Sequence, residues 1–372
     1  MHKTAIVTGA GIVGLAMARA LAIKGYNVTV IERSPRAMGA SVRNFGMIWP
    51  VGQPDGELYE RAMRSSRIWK ETCSDAKIWF EQAGSLHLAF REDELDVLNE
   101  LAAIYKNREY RVLQPKEVIQ LSPFAAMNGL KGALYSRDEV IVDPRAAIHH
   151  LPAWLEEKYK VKFIWGRTVT EISSPDVYFG DEMISADRIF VCNGADFETL
   201  YPRLFAEQQI IKCKLQMMRL MPPAEKTRIG PALCGGLSLL HYRSFKVAPS
   251  LSVLQNRYRK EMEEYLDYGI HVMVSQNHAG ELTVGDSHEY SHNPDPFCRQ
   301  HINQLIIEYL KKITRFNCDH LLETWNGVYA KMTNGETELL LQPEQAVMIV
   351  NGLGGAGMTL SFGLAEEICD EL

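Results

Sequence analysis

Two glycine-rich turns, Gly9-x-Gly11-x-x-Gly14 and Gly352-x-Gly354-x-x-Gly357, are the residues whose type and spacing speak most directly of chemistry. Each follows an apolar run (4–8 and 346–350), and each opens a stretch of helical pattern (12–24 and 358–371). A strand–glycine–helix junction aims bare backbone N–H groups and the positive end of a helix dipole at one point. Two such junctions in one chain imply a single long ligand with two electron-rich places to hold.

The first turn has a fuller context. A strand precedes it, a helix follows, and the acidic Glu32 ends the next strand, 18 positions beyond Gly14. That is the dinucleotide fingerprint. Gly9 makes the turn, Gly11 admits a pyrophosphate close to the backbone, and Gly14 lets helix and strand touch. Glu32 would accept hydrogen bonds from ribose hydroxyls and disfavour a 2′-phosphate. The fingerprint leaves NAD and FAD equally open. Tyr242 and Lys246 have the spacing of a short-chain dehydrogenase pair, but the surrounding pattern is of antiparallel strands rather than the helix that pair needs.

Composition sets the frame for these turns. The chain has 372 residues, 46% hydrophobic and 23% charged, enough for two cores. A net charge of −6 with interspersed signs offers no basic face for nucleic acid. No apolar run reaches the roughly 20 residues of a bilayer span. The chain passes from its first residues directly into a strand, so no membrane and a cytoplasmic location are expected. Seven cysteines without a Cys-x-x-Cys spacing read as buried thiols rather than disulfides or zinc ligands.

Helical patterns are expected over 57–82, 92–108, 145–159 (started by Asp143-Pro144 and kinked at Pro152) and 296–313. Short strands are expected at 85–90, 161–165, 169–172, 177–179 and 188–192, and longer antiparallel ones at 210–221, 269–276, 281–286 and 322–330. The fold class is therefore α/β (α+β overall), a Rossmann-type dinucleotide domain with an inserted antiparallel-sheet substrate domain. The first takes 1–80, 143–209 and 320–372; the second takes 81–142 and 210–319.

Several segments, in order along nearly the whole chain, resemble the family of D-amino-acid oxidase, glycine oxidase and monomeric sarcosine oxidase. Gly-Ala-Gly-Ile-Val-Gly with Ile31-Glu32-Arg33 is similar to its opening. Ala40-Ser41-Val42-Arg43-Asn44-Phe45-Gly46 resembles the loop beside its flavin, and Thr168-Val169-Thr170-Glu171-Ile172 the strand over its adenine. Phe190-Val191-Cys192-Asn193-Gly194-Ala195, Lys214-Leu215-Gln216 and 351–359 resemble three later segments. The resemblance implies FAD, held by Gly9, Gly11, Ile12, Val13, Gly14, Glu32, Arg33, Ser41, Arg43, Asn44, Val169, Asn193 and Gly194, and at the last turn by Gly352, Gly354, Gly355, Ala356, Gly357, Met358 and Thr359. A helix start beside the flavin N1 and O2 atoms would favour the reduced state.

It also implies oxidation of a small amine. Hydride passes to flavin N5 from the carbon beside nitrogen, the imine is hydrolysed, and oxygen reoxidises the flavin to give hydrogen peroxide. Amino-acid-specific members often carry Gly-x-Arg where this chain reads Gly327-Val328-Tyr329-Ala330-Lys331, which speaks against a simple α-amino acid. Ser41–Pro50, with Gly285-Asp286-Ser287-His288-Glu289-Tyr290, resembles a branch associated with aminophosphonate breakdown. Arg43, His288, Tyr329 and Lys331 are then the expected substrate-positioning residues. The alternative in the same fold is an oxidase or dehydrogenase of glycine, sarcosine or a D-amino acid. An NAD-dependent reductase and a non-catalytic flavin subunit are the other readings. His288-Glu289-x-x-His292 matches a zinc-protease signature, but a strand precedes it and Asn293-Pro294 follows, so a helix cannot present both histidines and no metal is expected.

Overall fold

Continuous apolar runs, unlike alternating ones, mark strands covered on both faces, and three of them build the centre of the molecule. In a computed structural model, which describes residues 3–221, 227–316, 318 and 320–372, Asn27–Glu32, Thr4–Thr8 and Arg188–Val191 lie parallel side by side. Lys162–Trp165 extends this sheet beyond Asn27–Glu32, and Val347–Asn351 extends it beyond Arg188–Val191. Leu339–Glu344 adds an antiparallel edge, giving six strands. The carboxyl ends of the parallel strands thus bring Gly9, Glu32, Cys192 and Gly352 to one edge, where α/β sheets bind ligands.

The last helix, Gly357–Asp370, packs on Ile12–Ile23 and on Glu57–Ala76. Gly363 permits the second contact. A Cβ there would stand 2.6 Å from the Arg61 carbonyl oxygen, and its N–H donates to Ser65 Oγ at 2.8 Å. Arg61 pairs with Glu338 at 2.8 Å and Glu367 at 2.7 Å, and Arg19 with Glu366 at 3.1 Å.

A second sheet of nine strands forms the other body among the described residues. At its heart Ile210–Leu220 pairs antiparallel with Leu282–Gly285, Glu289–Ser291 and Leu321–Met332. Residues 321–332 therefore belong to this sheet rather than to the dinucleotide unit expected to begin at 320. The strand is exposed over its first four residues and only partly buried beyond them, a pattern that by itself does not say which sheet it joins.

Other expectations shift for local reasons. Residues 236–247 form 3₁₀ turns, followed by helices Leu251–Glu261 and Glu263–Asp267, so Tyr242 and Lys246 are not among strands. Val169 precedes the strand Glu171–Ser173. Asp143 caps Pro144–Tyr159, accepting from the Arg145 and Ala146 N–H groups, and that helix runs unbroken through Pro152. The helix expected from 296 begins at Gln300. No helix among the described residues is long and apolar enough to cross a membrane.

Glu139 ties the two bodies together. Its oxygens accept from Val51 N–H at 3.0 Å and Ser85 Oγ at 3.1 Å, and burial pushes its carboxyl up to about 7 from 4.5. A carboxyl raised in the folded state stabilises below its unfolded pKa, and that contribution fades as pH climbs through the folded one. Glu139→Gln should therefore raise the unfolding midpoint at pH 8, recovering about 3 kcal/mol, and leave it unchanged at pH 4. Thermal melts at the two pH values check this.

Candidate active site

The adenosine end is built from turns that only glycine can make. Gly9 has φ of +94°, and a Cβ on it would lie 2.5 Å from the Cys192 carbonyl oxygen. A Cβ on Gly14 would lie 1.9 Å from the Gly9 carbonyl oxygen. The helix Ile12–Ile23 starts on Gly11, which has no side chain to cap it, and Ser41 Oγ reaches over to accept the Ile12 N–H at 2.9 Å. Glu32 accepts from Ala10 N–H at 2.8 Å and Ser34 N–H at 3.0 Å, one bond on each oxygen. Each oxygen keeps a lone pair for a ribose hydroxyl. Glu32→Ala should weaken FAD binding about 10–100-fold by loosening both turn and ribose; flavin dissociation in dilution series checks it.

A cavity of about 700 Å³ runs along this edge, lined by Gly9, Gly11, Val13, Glu32, Arg33, Val169, Asn193 and Gly194 among others. Arg33 is held by Asp196 at 2.8 Å. A second cavity, about 260 Å³, lies beside it. Ile12, Ser41, Arg43, Tyr329, Gly352, Gly354 and Gly357 line both, so the cleft is continuous between the two glycine junctions.

The far junction is fixed by Asn351. Its side-chain N–H groups donate to Asn193 Oδ1 at 3.2 Å and the Gly194 carbonyl at 2.9 Å, while its Oδ1 accepts the Gly352 N–H at 2.7 Å. Gly352 and Gly354 both have positive φ (+75° and +59°), and the final helix begins with no side-chain cap. A Cβ on Gly355 would fall 3.5 Å from Tyr329 Oη, and one on Gly354 would fall 3.6 Å from Lys331 Cγ. Two uncapped helix starts opening on one cleft, both at glycine turns, fit a pyrophosphate at one end and an electron-rich ring at the other.

Two expected ligand residues direct their side chains elsewhere. Asn44 holds its own loop, donating to the Ala40 and Ser41 carbonyls and accepting from Gly46 N–H. Thr359 Oγ1 accepts the Trp49 N–H at 2.9 Å. What either can offer the cleft is its backbone.

The 260 Å³ cavity joins Arg43, His288, Tyr329 and Lys331 with Asp286 of the 285–290 motif and with two residues that sequence reading missed, His241 and His271. Lys331 donates to Tyr290 Oη at 2.9 Å, and burial lowers its ammonium. Arg43 donates to the Asn326 carbonyl at 3.2 Å. His288 Nδ1 sits 3.0 Å from the Gly269 carbonyl; burial drives its imidazole down to about 4 and holds His241 and His271 well below the usual range. Burial likewise pushes Asp286 well above the carboxylate range. The His288/His292 pair is not helical, since Glu289–Ser291 is a strand. Instead His288 meets histidines 17 and 47 residues earlier, a distance at which no short motif could have signalled them.

A cleft along the carboxyl edge of a largely parallel sheet, with a mixed, mostly antiparallel sheet (232–234 runs parallel to 85–89) roofing its inner end, defines a two-domain, dinucleotide-dependent oxidoreductase. The chain belongs to the DAO family, FAD dependent oxidoreductases, whose profile matches residues 4–371, and FAD is its cofactor. Its fold is similar to that of L-proline dehydrogenase from P. horikoshii (TM-score 0.79, 20% identity, 99% of this chain and 92% of that one). It is also similar to glycine oxidase from Bacillus cereus (TM-score 0.77, 15% identity, 100% and 94%). A stretch of 153 residues is 28% identical to glycerol 3-phosphate dehydrogenase of Caloramator mitchellensis, covering 39% of this chain. The matched stretch spans only 31% of that relative's length.

Proposed function

We propose that the protein is an FAD-dependent oxidase of a small amine carrying a phosphonate, a relative of 2-aminoethylphosphonate, N-methylated or not, with oxygen as the electron acceptor. Bound FAD supplies the acceptor for the hydride leaving the carbon beside nitrogen. The pyrophosphate and ribose side falls to Gly9, Gly11, Ile12, Val13, Gly14, Glu32, Arg33 and Ser41, with Val169, Asn193 and Gly194 along the same wall. The backbone of 352–359 faces the ring.

The protein's part in the reaction is position and field. The observation that carries the reading is that Tyr329 and Lys331 stand directly against the Gly354-Gly355 turn, inside a cavity that also holds Arg43 and His288. A lysine, an arginine and several neutral donors suit a compact anion approached from several sides better than the planar, two-pronged grip a carboxylate takes from one arginine. The names of glycine oxidase and L-proline dehydrogenase support an amine, and that of glycerol 3-phosphate dehydrogenase supports a phosphorus-bearing head. The buried, partly apolar wall of Met47, Trp49 and Met273 disfavours the ammonium form, and hydride departure requires the neutral amine.

The test is peroxide release from N-methyl-2-aminoethylphosphonate, 2-aminoethylphosphonate, sarcosine, glycine and D-alanine. Turnover of the phosphonates at least tenfold above the carboxylates is expected. Oxidation confined to the carboxylates would leave an amino-acid oxidase. If none bleaches the flavin, the amine reading falls.

A further inference from the structure

His241, His271 and His288 come from three separate segments, yet one ring nitrogen of each lies within 4.8 Å of the others. Ring centroids are 3.9 Å apart for His241 and His271, 4.5 Å for His241 and His288, and 5.0 Å for His271 and His288. His271 and His288 are 3% and 6% exposed, and what exposure the trio has opens on the 260 Å³ cavity. His271 Nδ1 and Nε2 have no aligned hydrogen-bond partner, nor does Asp286 Oδ1, although His271 Nε2 and Asp286 Oδ1 are 3.2 Å apart. Unpaired polar atoms at that depth are costly, and the cavity that His271 and Asp286 line is where a partner would sit.

Resting on the oxidase reading above, we infer that the three histidines form the subsite for the substrate's doubly charged tetrahedral oxyanion, a phosphonate or phosphate head, and that one of them takes up a proton as the anion enters. The fields around the trio favour an anion. From the long strands come Lys331, Tyr329 and Cys213; from the segment after Leu282–Gly285 come Asp286 and Tyr290; from the 236–247 turns come Tyr242 and Lys246; Arg43 faces the same cavity. Of these, the lysines and Arg43 are cationic, and burial keeps Asp286, the tyrosines and Cys213 protonated. The three ring nitrogens are close enough to one another to ligate a metal, but a divalent cation would enter against the Lys331 charge, and the test below separates the two occupants.

A neutral imidazole donates one hydrogen bond and an imidazolium donates two. A dianion supplies both the field that raises the imidazole pKa and the oxygens to take the second donor. A monoanionic carboxylate supplies half the charge and fewer acceptors. The trio would thus select phosphonate over carboxylate by coupling recognition to a proton.

Ethylphosphonate and propionate share a skeleton and have no amine, so they report the subsite without turnover. Titration calorimetry of the FAD-loaded protein at pH 8.5, in buffers of differing ionisation enthalpy, counts protons taken up once the proton that any ethylphosphonate monoanion carries in is added. Ethylphosphonate is expected to bind at least tenfold tighter than propionate, with uptake of about one proton, and to perturb the flavin spectrum. His271→Asn and His288→Asn should erase the preference and the uptake. His241→Gln, at the least buried member, serves if a buried replacement unfolds the protein. Equal affinity for the two probes, absent proton uptake, or phosphonate binding unchanged in the variants overturns the inference. So does stoichiometric zinc retained by the dialysed wild type and lost with the histidines. Peroxide release from an amine with any of those results leaves the oxidase reading standing. Proton-coupled ethylphosphonate binding with no amine oxidised sinks that reading alone.

Discussion

Gly14→Val yields colourless, largely insoluble protein. Even a single added carbon at this position would lie 1.9 Å from the Gly9 carbonyl oxygen and 3.0 Å from its carbon, both backbone atoms that no rotamer change can move. Gly9 cannot retreat, because its own position is set by the Cys192 carbonyl 2.5 Å from where its Cβ would be and by donation of its N–H to the Ile31 carbonyl at 2.8 Å. The helix would have to lift off the central strand, and with it the first-turn N–H groups that open on the cleft. The cost should exceed about 4 kcal/mol, a large share of the stability of a typical domain. Flavin absorbance per mole of purified protein, below a tenth of wild type, is the measurement. A soluble, fully yellow variant would show that helix and strand are not in contact through this glycine.

Lys331→Met separates a different role. The protein should remain folded and fully yellow, while kcat/KM for the anionic amine falls about 100-fold or more. The lysine stem runs under the Gly354 turn, where methionine can replace its packing, so the change removes charge and one hydrogen bond to Tyr290. Losing the cation leaves the substrate's anion with Arg43 and the histidines but without the charge that stands against the Gly354 turn. Most of the loss should appear in KM, because the anion sits away from the reacting carbon and is held equally in ground and transition states. Steady-state kinetics with matched flavin content decide it. An unchanged KM would place the anion elsewhere.

The nucleotide half was legible in the sequence because its information is local. Turn, helix start and acidic residue follow one another within 24 positions, and the steric demands are met at Gly9 and Gly14, while Glu32 stands at the same edge and accepts the Ala10 N–H. Asn351 was readable only as part of a resemblance, since its three hydrogen bonds reach residues some 158 positions away and one position on. The substrate cavity was half legible. Tyr329 and Lys331 stood out against an expected arginine, whereas His241 and His271 lie in segments without periodicity, in and beside turns read as strands. Arg43 and His288 came from the same resemblance. Residues 321–332 went to the wrong body because a long strand carries no mark of which sheet it will join.

The Asn351 bridge has a consequence for biosynthesis. The strand it ends completes the parallel sheet beside residues 188–191, and its amide fixes the second glycine turn at the inner end of the cleft. A ribosome that has reached residue 340 has made the first glycine turn, Ser41, Arg43 and Tyr329, but not the strand 347–351 or the second glycine turn, which line the same cleft. Nascent chains stalled there are expected to retain flavin poorly, so that firm cofactor capture waits for translation of the final helix.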